Sequence, residues 1–304
     1  MKVLDLLLHH LKADRPWNKP EESPIPPPQE RVSITSTLWI GPVSDVIAQT
    51  IFQTCRPGAF GFERRQLRCR PLYVYGKEVP SAFAANKEGW DDDGKLQALV
   101  AISRLVYPTS ASLRMAVRIE LDETDTVAWI SQARLEGLHA DAFASPENRR
   151  DWLSWSELNQ LKEITWPLDR GLTSADRVWR ALWYHEYMSR SYEMDIRWPL
   201  ATSALESLLK TERRFTGDQF RKRSVQLAAE IGIIDYGEAE ADRAWDRRSG
   251  LAHGQILGTL SADDLKLYDL IESLLRTALL RALRDEEFRK VLNDDALIRK
   301  RWPV

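Results

Sequence analysis

Cysteine is nearly absent: Cys55 and Cys69 are the only two in 304 residues. A disulfide scaffold is excluded, a four-thiolate zinc site is impossible, and a reducing cytoplasm is the simplest compartment. Histidine is scarce too, with His9, His10, His139, His185 and His253 the whole complement. No zinc-binding string exists, and no HExxH, Walker A, GxGxxG or GxSxG motif occurs, so metal-dependent hydrolysis, nucleotide-driven chemistry and ordinary serine hydrolysis lose their sequence support. No metal and no cofactor is expected. Long apolar runs are also missing. The run from Val3 to Leu8 is broken by Asp5 and followed by His9 and His10, too short and too polar to span a bilayer, and no small-residue cleavage site follows it. The expected protein is soluble and cytoplasmic, without a membrane partner. An excess of one charge is lacking as well: 43 Lys and Arg face 45 Asp and Glu, a net charge of -2. The molecule is not a polybasic nucleic-acid coat, and any anion site must be local.

What is present fits a packed protein. Hydrophobic residues make up 43% and charged residues 29% of the chain, and its length suits two domains of ordinary size. Twelve tryptophans are many, and eight of them (Trp152, Trp155, Trp166, Trp179, Trp183, Trp198, Trp245 and Trp302) fall after residue 150. They point to a heavily packed helical region there.

Periodicity divides the chain. Residues 1 to 13 read as a short amphipathic helix, and Pro16, Pro20, Pro24, Pro26, Pro27 and Pro28 as an extended arm, since proline lacks the amide donor. Together they form a first segment, 1–29. Residues 30–145 read as a mixed α/β domain. Arg31 to Ile40 is rich in β-branched residues, Val43 to Thr54 looks helical, and Phe60 to Tyr75 alternates in part. Its clearest strand is Leu113, Met115, Val117, Ile119 and Leu121, alternating with polar residues. Asp91, Asp92, Asp93 and Gly94 read as a solvated acidic turn, because the EF-hand ligand spacing is absent. From 146 to 304 the period is helical. The apolar stripes are Ala175, Val178, Trp179, Leu182 and Trp183; Ala201, Ala204, Leu205, Leu208 and Leu209; Phe220, Leu227, Ala228 and Ile231; and Leu265 through Ala282. Trp179 and Trp183 are expected in the core, and so is His185. The expected class is α+β: a mixed N-terminal domain followed by an all-α bundle.

One segment stands apart, Trp245-Asp246-Arg247-Arg248-Ser249-Gly250-Leu251-Ala252-His253-Gly254. It holds an arginine and a histidine five residues apart, with a serine directly after the one and a glycine after the other. A five-residue step turns about 140° on a helix, so Arg248 and His253 do not converge within one chain. Across a two-fold axis the same face meets itself, and two arginines and two histidines can line one cleft. Gly254 suits the position just past a helix end, which leaves His253 beside the last carbonyls, where the helix dipole favours a cation.

The stretch Arg248-Ser249-Gly250-Leu251-Ala252-His253-Gly254, preceded by Ala204-Leu205-Glu206-Ser207-Leu208-Leu209 and by Gln219-Phe220-Arg221, resembles the HEPN superfamily, in particular its ApeA-like branch. The likeness spans roughly residues 195–285. The resemblance implies an all-helical domain that dimerises into a metal-independent endoribonuclease, of a kind found in prokaryotic toxins and antiphage, abortive-infection systems. It also implies a separate N-terminal domain, here residues 30–145, that senses a phage-derived or protein trigger or selects substrate.

Metal-free RNA cleavage needs a nucleophile, supplied by the ribose 2′-hydroxyl, a proton-transfer group, and a cation for the phosphorane. Histidine and arginine meet the last two needs, so His253 is assigned as general acid/base and Arg248 as phosphate clamp. Ser249 is a candidate for binding the scissile phosphate or orienting His253. Arg247 and Glu206 are further candidates, though an exposed Arg247 would pair with Asp246 or another nearby acid, and Glu206 with Lys210 four residues on. Lys210, Arg213, Arg214, Arg221, Lys222 and Arg223 form a local basic excess suited to RNA phosphates. An acidic stretch from Asp235 to Asp246 would meet it in a dimer or repel RNA. The alternative is a non-catalytic module of the same fold that binds RNA, a nucleotide or a partner protein.

Overall fold

The computed structural model describes residues 1–10, 27–54, 73–86, 89–109, 112–133, 140–141, 152–170, 176–212, 216–254 and 260–304. Most of the proline-rich arm, residues 60–72 of the expected alternation, both cysteines, His139, Arg213 and Arg214 lie outside them. The chain divides into two compact units, Met1–Asp169 and Arg170–Val304. The fold is α+β, with a helical C-terminal part.

The first unit is built on an antiparallel sheet. Its strands are β1 (Lys2–His10), β2 (Val32–Ser33), β3 (Leu38–Pro42), β4 (Tyr73–Glu78), β5 (Ser112–Leu121) and β6 (Val127–Ala133), in the spatial order β2-β3-β4-β1-β5-β6. A two-residue β7 (Ala140–Asp141) pairs with the start of β5. The helices here are α1 (Asp45–Thr54), which meets β6, α2 (Ser81–Ala84), α3 (Lys95–Val106), which meets β4, α4 (Trp155–Ile164), which meets α3, and α5 (Trp166–Arg170).

The opening residues are therefore a central strand and not the expected amphipathic helix. A strand buried on both faces reads as a continuous apolar run, which periodicity cannot separate from a helical segment. Leu4, Leu6 and Leu8 pack on one face with Trp39, Val117, Ile119 and the α1 residues Ile47 and Ile51. Gly76 belongs to this face, and a methyl group there would overlap the Trp39 indole.

Asp5 and Leu7 point to the other face, against α3, where the Tyr75 hydroxyl meets Ser103 Oγ at 3.1 Å. Asp5 stands opposite Lys77 of β4 and Arg118 of β5. Its Oδ1 accepts from Arg118 Nε at 2.6 Å and its Oδ2 from Nη2 at 2.8 Å, a bidentate pair. Lys77 Nζ donates to Asp91 and to Asp93, both at 2.8 Å. Asp91 in turn accepts from the amides of Leu96 and Gln97 and so caps α3. The acidic turn is thus not a solvated loop: Asp91 is buried, and the turn fastens α3 to the sheet. Burial works to lower the Lys77 pKa, but Asp91 and Asp93 outweigh it and the ammonium is held raised.

The second unit contains α6 (Arg177–Arg190), α7 (Met194–Leu209), α8 (Thr216–Ile231), α9 (Glu238–Ala252), α10 (Ala262–Arg284), α11 (Glu286–Asn293) and α12 (Asp295–Arg301). Asp176 caps α6 and Ser261 caps α10, each satisfying amides that a helix start leaves free. The core holds Val178, Leu182, Trp198, Leu205, Leu208, Phe220, Leu227, Ile271 and Leu275, and His185 is buried as expected. Trp179 and Trp183 are not in that core. With Tyr187 they form a half-exposed ladder at four-residue spacing, ring centroids 5.4 and 6.2 Å apart. The C-terminus is fastened by Glu230, which accepts from Arg301 Nε and Nη2 at 2.9 and 2.6 Å and from Trp302 Nε1 at 3.0 Å. Among the described residues no helix is long and apolar enough to cross a membrane.

Candidate functional site

The Arg248 segment is the last turn and a half of α9. The helix starts after Gly237, whose amide is taken by Glu240 Oε2 at 3.1 Å. It ends where His253 leaves helical geometry and Gly254 turns left-handed, at φ +83°. The His253 amide donates to the carbonyls of Ser249 and Gly250, both at 3.1 Å. Its imidazole is exposed at the helix C-terminus. Ser249 is half-buried.

Arg248 faces the bundle. Its Nη2 donates to Glu206 Oε2 of α7 at 3.0 Å, and its guanidinium carbon lies 5.0 Å from the Trp245 ring centroid. Trp245 precedes it by three residues and shares its helix face. The indole is seated against Phe220, centroids 5.5 Å apart, and on the first turn of α8. A side chain at Gly217 would come within 2.9 Å of Trp245 Nε1, so glycine leaves that space. Glu206 is the more buried partner, 14% exposed against 29% for Arg248. Burial raises the Glu206 pKa, with Arg248 opposing. Among the described residues no donor reaches Glu206 Oε1, which is buried.

The remaining candidates fall elsewhere. Arg247 pairs with Asp264 at 2.6 Å and ties α9 to the capped start of α10, not to its neighbour Asp246. Lys210 is not the partner of Glu206: it ends α7 in left-handed geometry and pairs with Asp295 at 3.1 Å. Arg221 is held by Asp242 at 2.8 Å and by Asp218 and Asp246 at 3.4 Å. The acidic stretch thus meets the basic one within a single chain. Arg223 is a correction to the basic patch. It is 3% exposed, and its guanidinium donates to the carbonyls of Leu209, Lys210 and Trp302. It closes the end of α7, where carbonyls lack helical partners, and faces no ligand. Lys222 is exposed, while Arg213 and Arg214 lie outside the described residues.

The structure therefore brings Arg248, Glu206 and Trp245 together, and it places His253 and Ser249 at the adjoining helix end. Sequence reasoning paired Glu206 with the wrong cation and gave Trp245 no role; the three-residue spacing of Trp245 and Arg248 was the available signal. Among the described residues no group of three or more His, Cys, Asp or Glu side chains is placed to hold a metal ion. Comparison of the chain with protein-family models, with curated proteins and with solved structures finds no match in any of the three.

Proposed function

We propose that the chain is a metal-independent endoribonuclease of the HEPN type, working as a homodimer in prokaryotic toxin or antiphage defence. One observation carries the reading: a capped helix ends in Arg248 and His253, the first an oriented, part-exposed guanidinium, the second an exposed imidazole. In the proposed reaction the ribose 2′-oxygen attacks phosphorus and the bond to O5′ breaks. His253 takes the 2′-hydroxyl proton, and the imidazolium so formed gives a proton to the departing O5′. Arg248 chelates two phosphate oxygens as charge builds on the phosphorane. Ser249 is assigned to the phosphate as a hydrogen-bond donor. The products carry a 2′,3′-cyclic phosphate and a 5′-hydroxyl. Metal independence and the defence role rest on the resemblance in the Arg248 segment, and the first unit is assigned to sensing a trigger or selecting RNA.

A non-catalytic module binding RNA, a nucleotide or a partner protein is the second reading. It is favoured by the five-residue step from Arg248 to His253, which turns about 140° on an ideal helix and gives one chain no converged pair. RNA cleavage in EDTA, comparing wild type with His253→Ala and Arg248→Ala and identifying product ends, separates the two. Cyclic-phosphate ends from wild type alone are expected. Undiminished cleavage by both variants would remove the assignment, and RNA binding without turnover would favour the second reading.

A further inference from the structure

Arg248 is held on two sides while part of it stays open. Glu206 accepts from Nη2 on the neighbouring helix, and the guanidinium carbon stands over the Trp245 ring of its own helix. The carboxylate contact uses one nitrogen only. Among the described residues no acceptor takes Nε, Nη1 or the second Nη2 hydrogen, a donor edge that can grip two oxygens of one phosphate.

The two supports are themselves packed. Glu206 lies between Leu205 and Leu208, both fully buried on α7, and Trp245 is seated on Phe220 and against Gly217. A buried carboxylate oxygen without a donor costs stability, and a neutral side chain at position 206 would avoid that cost. The contact with Arg248 uses Oε2 and leaves Oε1 without a donor among the described residues.

We infer that Glu206 is the positioning residue of the site: it fixes the Arg248 guanidinium over Trp245 so that the open edge meets an RNA phosphate in one geometry. The substrate in this statement rests on the nuclease reading; the orientation of Arg248 does not. Glu206 touches no reacting atom and acts through Arg248.

The test uses the full chain with Glu206→Ala, Glu206→Gln and Trp245→Leu, reading steady-state cleavage of a short RNA and the 15N relaxation of the Arg248 Nε–H. Glu206→Ala is expected to lower kcat on the order of 10²-fold, as misplacement of a catalytic group does, with KM little changed. Glu206→Gln keeps an acceptor oxygen and is expected to recover most of the rate. The Arg248 Nε–H is expected to be ordered in wild type and Glu206→Gln and mobile in Glu206→Ala. Cleavage by Glu206→Ala at or above the wild-type rate would overturn the inference, making Glu206 a competitor that phosphate displaces. So would an Nε–H equally ordered in Glu206→Ala. If Glu206→Ala fails to fold, Glu206→Gln and Trp245→Leu carry the same comparison: rate and order retained in the first and reduced in the second, the reverse overturning it. A wild type that cleaves no RNA would defeat the nuclease reading, and the relaxation measurement would then decide the positioning role alone.

Discussion

Lys222 and Arg223 are neighbours with the same charge, and the fold gives them opposite surroundings. Lys222 is exposed on α8, while Arg223 is buried and donates to three backbone carbonyls at the end of α7 and at Trp302. Replacing Arg223 with Ala leaves those carbonyls without a donor in a site closed to water, so urea unfolding should show a loss of roughly 2–4 kcal/mol. Lys222→Ala should stay within about 0.5 kcal/mol of wild type, as surface substitutions do. Equal small effects from both would mean that Arg223 is solvated. A count of charges along the sequence treats the two alike, because it cannot see which helix end a side chain reaches. Arg248 and His253 were legible for the opposite reason: a helix stop is written locally, in Gly254. The Glu206 contact was not, since it joins residues 42 apart, and the nearer cation, Lys210, is turned away by its own left-handed backbone.

Among the elements, β1 shows how a correct observation led to the wrong structure. Asp5 looked like a break in an apolar run, yet it is the residue that joins β4, β1 and β5 through Lys77 and Arg118. Its partners lie 72 and 113 positions away, beyond the reach of any periodicity. The strand β5 and the helices of the second unit were legible as elements because each period needs only its own residues, but the faces were not: Ala116 and Arg118 are buried along with Val117 and Ile119, and Trp179 and Trp183 lie outside the core. The end of α9 is also local. Gly254 has open space around its Cα, so crowding does not require glycine there, but its φ of +83° does. Gly254→Ala should therefore cost about 1–2 kcal/mol through backbone strain alone. If His253 depends on that stop for its position, the same variant should lose cleavage at temperatures where it is fully folded. Full activity in a destabilised Gly254→Ala would show that the turn serves folding and not the site.

For the molecule as a whole, a net charge of -2 makes general repulsion small near neutrality, so pH acts through particular groups. Those groups pull in two directions. Burial raises the Glu206 and Glu272 pKa values, so their ionisation opposes folding as pH rises. Glu230 runs the other way: burial alone would raise its pKa, but the hydrogen bonds from Arg301 and Trp302 outweigh burial and hold it below its ordinary 4.5. A carboxylate with a lowered folded pKa adds stability that is complete above the unfolded value and is lost as pH falls through the folded one. Glu230 joins α8 to the C-terminal residues Arg301 and Trp302, so its protonation should loosen the chain end that also receives Arg223. Glu230→Gln should accordingly be less stable than wild type near pH 7, with the gap closing as the wild-type carboxylate protonates below about pH 4.5. Urea midpoints of the two proteins across that range measure it. A gap that stays constant down to about pH 3 would mean that the charge of Glu230 contributes nothing beyond its shape and hydrogen bonds.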